Sequence, residues 1–153
     1  VRCGIALFGC IAPFRSRMAL DWRPVASVRT RIAALRPLKK GEGAGYNHAW
    51  AAPCDTTVAI LSIGYSDGLL RSSSFQGAEV LIHGQRRPIV GAMCMDQCLV
   101  DLSSLPAAVG DEVIVIGKQG TGQISALEVA EKTGTIVPET LSMLRGRMPR
   151  ILV

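Results

Sequence analysis

Pro88-Ile89-Val90-Gly91-Ala92-Met93-Cys94-Met95-Asp96-Gln97-Cys98-Leu99-Val100-Asp101 is the stretch on which the reading of this chain turns. An apolar run breaks into a compact polar knot, Cys94 to Gln97, and resumes as strand-like Cys98-Leu99-Val100. Two further knots, Gly45-Tyr46-Asn47-His48 and Gly64-Tyr65-Ser66-Asp67-Gly68, interrupt strand patterns in the same way. Polar insertions between buried strands contribute little to stability by themselves. Together the three describe one wall of a site whose opposite wall lies elsewhere.

Strand signals extend outward from these knots. Val28-Arg29-Thr30-Arg31-Ile32 alternates with the period of two of a half-buried strand. Val58 to Ile63 and Val113 to Ile116 are continuous apolar runs, the pattern of strands covered on both faces. Val80-Leu81-Ile82 enters a tight turn at His83-Gly84-Gln85, and Pro88-Ile89-Val90 returns from it. Gly41, Gly43, Gly45, Gly110 and Gly120 mark further turns. One helix carries its own signals: Ser125-x-x-Glu128 is a capping box, Leu127 and Ala130 share a face, and Gly134 stops it. Pro138 starts a second short helix through Leu144 as a first-turn proline. The expectation is a mainly β domain, barrel-like or sandwich-like, with one or two short helices.

Residues 1–20 differ from the rest. Arg2 to Gly9 reads as a strand end or loop entering a short apolar segment, Pro13 breaks it, and Arg15-Ser16-Arg17 reads as a linker. The expected division is therefore the final edge of another unit over 1–20 and a β-rich domain over 21–153.

A length of 153 residues, 48% hydrophobic and 19% charged, describes a globular domain with a real core and argues against disorder. The longest apolar candidate for a membrane span, Gly4 to Phe14, is shorter than the ~20 residues required and contains Pro13. No secretory signal follows Arg2. The 17 basic and 12 acidic residues leave a modest excess of +5, which fits a solvated or subunit-facing surface or an anionic small molecule. Aromatics make up only 5%, against the stacking residues a nucleic-acid face needs. Cys3, Cys10, Cys54, Cys94 and Cys98 form no C-x-x-C pair and lack a histidine at zinc spacing, so no metal site is expected. All five read as reduced, small hydrophobes in a cytoplasmic protein.

Taken alone, Tyr46 at a glycine-flanked turn either caps the edge of the core or transfers protons. A phenol does the latter once nearby positive charge makes it acidic enough. Asp96 either closes an Asx-type turn or orients a partner.

The blocks Gly45-Tyr46, Ile63-Gly64-Tyr65-Ser66-Asp67-Gly68-Leu69-Leu70-Arg71, Pro88-Ile89-Val90-Gly91, Cys94-Met95-Asp96-Gln97 and Arg147-Met148-Pro149-Arg150 have the order and spacing of alanine racemases. The chain resembles that family over nearly its whole length. The resemblance implies a pyridoxal-phosphate-dependent amino-acid racemase of fold-type III. Its members join a cofactor-carrying (α/β)-barrel to a β-rich carboxy-terminal domain and work as head-to-tail homodimers. This chain would be the second domain with the last edge of the barrel, inactive alone. Lys39, Lys40, Lys118 and Lys132 match no cofactor-lysine motif of the family and read as surface residues.

The resemblance also implies roles. Racemisation removes a proton from one face of the substrate Cα and returns one to the other, which takes two bases. Tyr46 matches the tyrosine base that reaches into the partner subunit's site. Met95, through its N–H, and Asp96 match residues beside the substrate carboxylate. Arg2 matches the arginine facing the pyridine nitrogen; a guanidinium stays protonated and leaves the ring a weaker electron sink. Gly4 and Ile5 match the backbone that binds the cofactor phosphate, and Tyr65 and Arg71 match the substrate-access region.

Three residues depart from the family pattern. Pro138 replaces a tyrosine that touches the phosphate and narrows the pocket, Ala92 replaces an arginine at the entrance, and Asn47 replaces glycine. Pro138 removes both a donor and bulk, which implies a roomier pocket, so a serine or broad-specificity racemase is an alternative to strict alanine specificity. A free-standing, non-catalytic β-domain for dimerisation or regulation is another, and a basic nucleic-acid-binding barrel a weaker third.

Overall fold

In the computed structural model, residues 2, 4–10, 22–144 and 146–152 are described. The expected linker at 15–17, the proline at 13, the cysteine at position 3 and the arginine at 145 fall outside them.

The apolar runs become the strands of a closed ring. β1 (Val28–Leu38) pairs through Val28–Arg31 with β8 (Glu112–Gln119) and through Ile32–Leu38 with β4 (Thr56–Leu61). From β4 the ring continues antiparallel through β7 (Cys98–Asp101), β6 (Gln85–Val90) and β5 (Glu79–Ile82) back to β8. β1 passes from one neighbour to the other at register shifts beside Val28 and Ile32. Such bulges bend a strand and let it turn a barrel corner. Closure leaves the six strands without an exposed edge. β9 (Gly122–Ile124) folds back on the end of β8, and β2 (Gly43–Ala44) with β3 (Trp50–Ala51) forms a separate two-stranded ribbon.

The expected alternation in Val28–Ile32 is present, with Val28 and Ile32 buried. Val113 to Ile116 is buried throughout, and its residues divide between two clusters. Val113 and Val115 join Leu61, Val80, Ile82 and Val100 inside the ring. Ile114 packs outward with Leu81, Ile124 and Val129. A third cluster, Leu38, Val58, Val90, Ala44 and Ala52 with Trp50, seats the β2–β3 ribbon on the outside of the barrel. Each buried Val, Leu or Ile contributes about 1.5–3 kcal/mol. The β5–β6 turn is His83-Gly84 alone, with φ of 52° and 76°, since Gln85 already pairs with Ile82. Two positive-φ residues form the turn whose twist matches that of the flanking strands.

The first helix, α1 (Ala126–Lys132), starts where expected: Ser125 Oγ accepts the Glu128 N–H at 3.0 Å. The Glu128 carboxylate is directed elsewhere, to Arg86 at 2.5 Å and Lys132 at 3.3 Å. Glu79 completes the cluster, 2.9 Å from Arg86 and 2.8 Å from Lys132. The Lys132 hydrogen bond, then Arg86, holds the Glu79 carboxyl below its usual range, and Arg86, then Lys132, does so for Glu128. The cluster clamps α1 onto β5 and β6. α2 (Val137–Met143) carries Pro138 in its first turn, where no N–H is required.

Candidate active-site face

The three knots meet, and glycine makes the meeting possible. The tip of the β2–β3 ribbon, Gly45-Tyr46-Asn47-His48, rests on the segment that follows β6. A Cβ on Gly45 (φ 77°) would lie 2.9 Å from the Ala92 nitrogen, and one on Gly91 (φ 67°) 2.9 Å from the Ala44 oxygen. Asn47 and His48 then adopt φ of 56° and 49°. Asparagine is among the non-glycine residues that tolerate this left-handed region best, so Asn47 suits this position. Tyr46 projects from the tip with 65% of its surface exposed.

The second junction is closer. A Cβ on Gly64 would come within 2.4 Å of the Cys94 oxygen, 2.6 Å of the Met95 oxygen and 2.7 Å of the Asp96 nitrogen. Tyr65 N–H donates to the Cys94 oxygen at 3.2 Å and Ser66 N–H to the Met95 oxygen at 2.8 Å. The Cys94 N–H closes its own turn on Gln97 O at 2.9 Å. Met95 and Asp96 form the exposed tip of that turn, and among the described residues none accepts the Met95 N–H. Tyr65 stands beside them, 40% exposed. The next turn, Arg71–Phe75, is tied to the same wall: Ser74 Oγ accepts the Met93 N–H at 3.2 Å, and Arg71 opens that turn, exposed.

Tyr46, Tyr65, Met95 and Asp96 are thus linked through backbone contacts, and the turn of Arg71 joins them through the Ser74 hydroxyl. Arg2, Gly4 and Ile5 are not: they lie in or before the 3-10 turn Gly4–Phe8, which attaches through Phe8 O to the Val25 N–H at 3.2 Å. Gly4 has a φ of 51° and open space where a Cβ would be, so another group can approach its backbone closely.

Asp67 underlies the wall. It is 3% exposed and accepts the Gly64 N–H at 2.9 Å and Arg147 Nε at 2.8 Å. The hydrogen bond and charge of Asp67, with a contribution from Asp96, hold the Arg147 guanidinium above its ordinary value. Gly68 (φ 108°) packs on the end of α2, where a Cβ would meet the Met143 oxygen at 2.3 Å.

Cys98 is buried and desolvation, with Cys94 nearby, pushes its thiol up to about 12, which suits packing rather than nucleophilic chemistry. Cys54 corrects the expectation of five packed cysteines: it is exposed in the bend before β4. Among the described residues no three His, Cys, Asp or Glu side chains group to hold a metal, and no helix is long and apolar enough to cross a membrane. Lys39 and Lys132 are paired with carboxylates, while Lys40 and Lys118 are exposed.

The family model for the alanine racemase C-terminal domain matches residues 25–152. The chain belongs to that family. An alanine racemase of Sorangium cellulosum is 46% identical over 155 residues, spanning 98% of this chain and 40% of the relative. The chain thus covers about 40% of the length of such curated relatives. The structure of alanine racemase from Bartonella henselae with covalently bound pyridoxal phosphate matches with a TM-score of 0.86 and 32% identity, over 98% of this chain and 40% of that one. Histidine racemase from Leuconostoc mesenteroides matches with a TM-score of 0.86 and 32% identity, over 96% and 39%.

The residues expected to depart from the family pattern separate by environment. Ala92 is buried under the Tyr46 ribbon, 4% exposed, rather than standing at an open mouth. Pro138 is exposed on the first turn of α2. Reading the sequence located Asp67 in a knot and Arg147 in the terminal block but did not connect them. Two opposite charges in two separate family blocks were the only signal, and they stand 80 positions apart.

Proposed function

We propose that this chain is the carboxy-terminal part of a pyridoxal-phosphate-dependent alanine racemase. The reaction is interconversion of L- and D-alanine, supplying D-alanine for peptidoglycan in the cytoplasm. The single observation that carries the reading is one wall, its backbone fixed by glycine contacts, that presents both the exposed Tyr46 and the open Met95 N–H. The full activity requires the cofactor-carrying barrel, and the assembly is a homodimer in which Tyr46 serves the partner's site.

Bound pyridoxal phosphate withdraws electrons from the amino acid and so makes its α-hydrogen removable. The chain's own groups fit part of that cofactor: Gly4 and Ile5 offer an open backbone for its phosphate and Arg2 a permanent positive charge for its ring nitrogen. Tyr46 accepts or returns a proton at its phenol oxygen on one face of the substrate carbon. Met95 N–H and the Asp96 turn orient the carboxylate, fixing which face Tyr46 meets. Tyr65 and Arg71 border the approach. Lys39, Lys40, Lys118 and Lys132 take no part.

The test is an assay of the full-length, cofactor-loaded protein with L-alanine, read as D-alanine formed, beside this chain alone. Turnover by the full protein and none by the isolated chain is expected. A full-length protein that binds the cofactor yet leaves L-alanine unchanged would favour the non-catalytic reading. Broader specificity is a second reading, favoured by Pro138 in place of a bulky tyrosine and by the likeness to a histidine racemase. It predicts kcat/KM values for alanine and serine within about tenfold of each other, the range a small difference in pocket fit produces. A strong alanine preference would dismiss it.

A further inference from the structure

We propose that Asp67 and Arg147 are positioning residues that aim the Met95 N–H, and that the reaction uses them through substrate binding rather than proton transfer. This rests on the assignment of Met95 to the substrate carboxylate. The Asp67 side chain is 4% exposed and Arg147 53% exposed, with Nε and Oδ1 2.8 Å apart. A buried carboxylate needs compensating donors, and Asp67 has them in Arg147 and in the Gly64 N–H at 2.9 Å.

What those donors hold is the turn that touches the loop. Gly64 lies against Cys94, Met95 and Asp96 so closely that no side chain fits between them. The next residue, Tyr65, donates its N–H to the Cys94 oxygen at 3.2 Å. The Cys94 carbonyl and the Met95 N–H belong to one peptide plane and point in opposite directions. Anchoring the oxygen therefore sets the direction of the N–H. Ser66 fixes the following plane in the same way, through the Met95 oxygen at 2.8 Å. The chain of contacts runs from Arg147 through Asp67, Gly64 and Tyr65 to the Met95 amide, and it joins the end of the chain to a loop about 50 residues earlier. The raised pKa of Arg147, in which Asp96 takes part, agrees with that geometry.

The test uses the full-length, cofactor-loaded racemase with Asp67→Asn, Arg147→Met and the double variant, and with Arg86→Met as a control. Arg86→Met breaks the cluster on the helix side and is expected to lower the unfolding midpoint without moving KM. Arg147→Met is on a partly exposed side chain and is expected to fold. Asp67→Asn and Arg147→Met are each expected to raise KM for alanine about tenfold or more, as loss of a charge-assisted hydrogen bond predicts, with kcat within about threefold. The double variant should be little worse than either single one, since the two act as a unit. Hydrogen exchange gives a readout independent of turnover: the Tyr65 and Ser66 amides should lose protection in both variants while the amides of β8 keep theirs. Unchanged KM with unchanged exchange at Tyr65 and Ser66 would overturn the proposal. An equal fall in kcat with unmoved KM would also overturn it. If Tyr46→Phe leaves turnover intact while these variants raise KM, the role given to Tyr46 fails and the positioning role stands.

Discussion

Where α1 covers β5 and β8, Glu79, Arg86, Glu128 and Lys132 pair with one another above a layer of Leu81, Ile114 and Ile124. Where the three knots meet, Tyr46, Tyr65 and Met95 remain 65%, 40% and 58% exposed. Their rigidity comes from backbone instead: Gly45 against Gly91 and Gly64 against Cys94–Asp96, with the buried Asp67 beneath. The first region satisfies its side chains within the domain and gains stability. The second fixes its main chain while leaving its side chains free to meet something else. A region built for a partner or ligand has that form, because exposed aromatic and apolar groups contribute little to folding.

Core truncation should separate the regions most strongly. Ile114→Ala, at a fully buried position, is expected to cost about 2–5 kcal/mol of stability while leaving KM of the full-length enzyme unchanged. An unfolding midpoint equal to that of the parent would show that the layer under α1 does not support the barrel.

Gly64→Ala should give the reverse signature. Its Cβ would collide with the backbone of Cys94 and Met95, so the loop must move. A stability loss of about 1–3 kcal/mol is expected. KM should rise as well, and a variant with parental KM would break the link between this contact and the carboxylate subsite.

The smallest effect concerns pH. Glu79 and Glu128 both have their carboxyls lowered in the fold by Lys132 and Arg86. A lowered folded value adds stability that is fully present above the unfolded carboxylate pKa of ~4.3 and lost as pH falls through the folded values. Arg86→Met should therefore cost about 1 kcal/mol or less at pH 7 and still less near pH 3, measured as urea midpoints at both values. A difference that grows on acidification would contradict the pairing.

Much of the barrel is legible in the sequence. The apolar run Val113–Ile116 announced a strand covered on both faces, and Ser125 with Gly134 bracketed α1. The closure of β1 on β8 is not, because bulges beside Val28 and Ile32 leave no mark in an alternating pattern. The individual knots were visible as interruptions. Their meeting depends on glycines at 45, 64 and 91, and a glycine in sequence does not say what it touches. The Asp67–Arg147 bond was hidden for a similar reason: charge shows in sequence, burial and partner do not. The site roles of Tyr46, Met95 and Arg2 came from resemblance to the racemase family, since no local pattern separates a catalytic tyrosine from one at the edge of a core.

The most direct test of the account is α-hydrogen exchange in heavy water by the full-length enzyme with Tyr46→Phe, followed separately for L- and D-alanine. With two bases on opposite faces, loss of one should leave deuterium entering one enantiomer while interconversion falls about 100-fold or more. The unfolding midpoint of the isolated chain should not move, because Tyr46 is exposed there. Interconversion at the parental rate, with deuterium entering both enantiomers as before, would contradict the assignment of Tyr46 as the base this domain supplies.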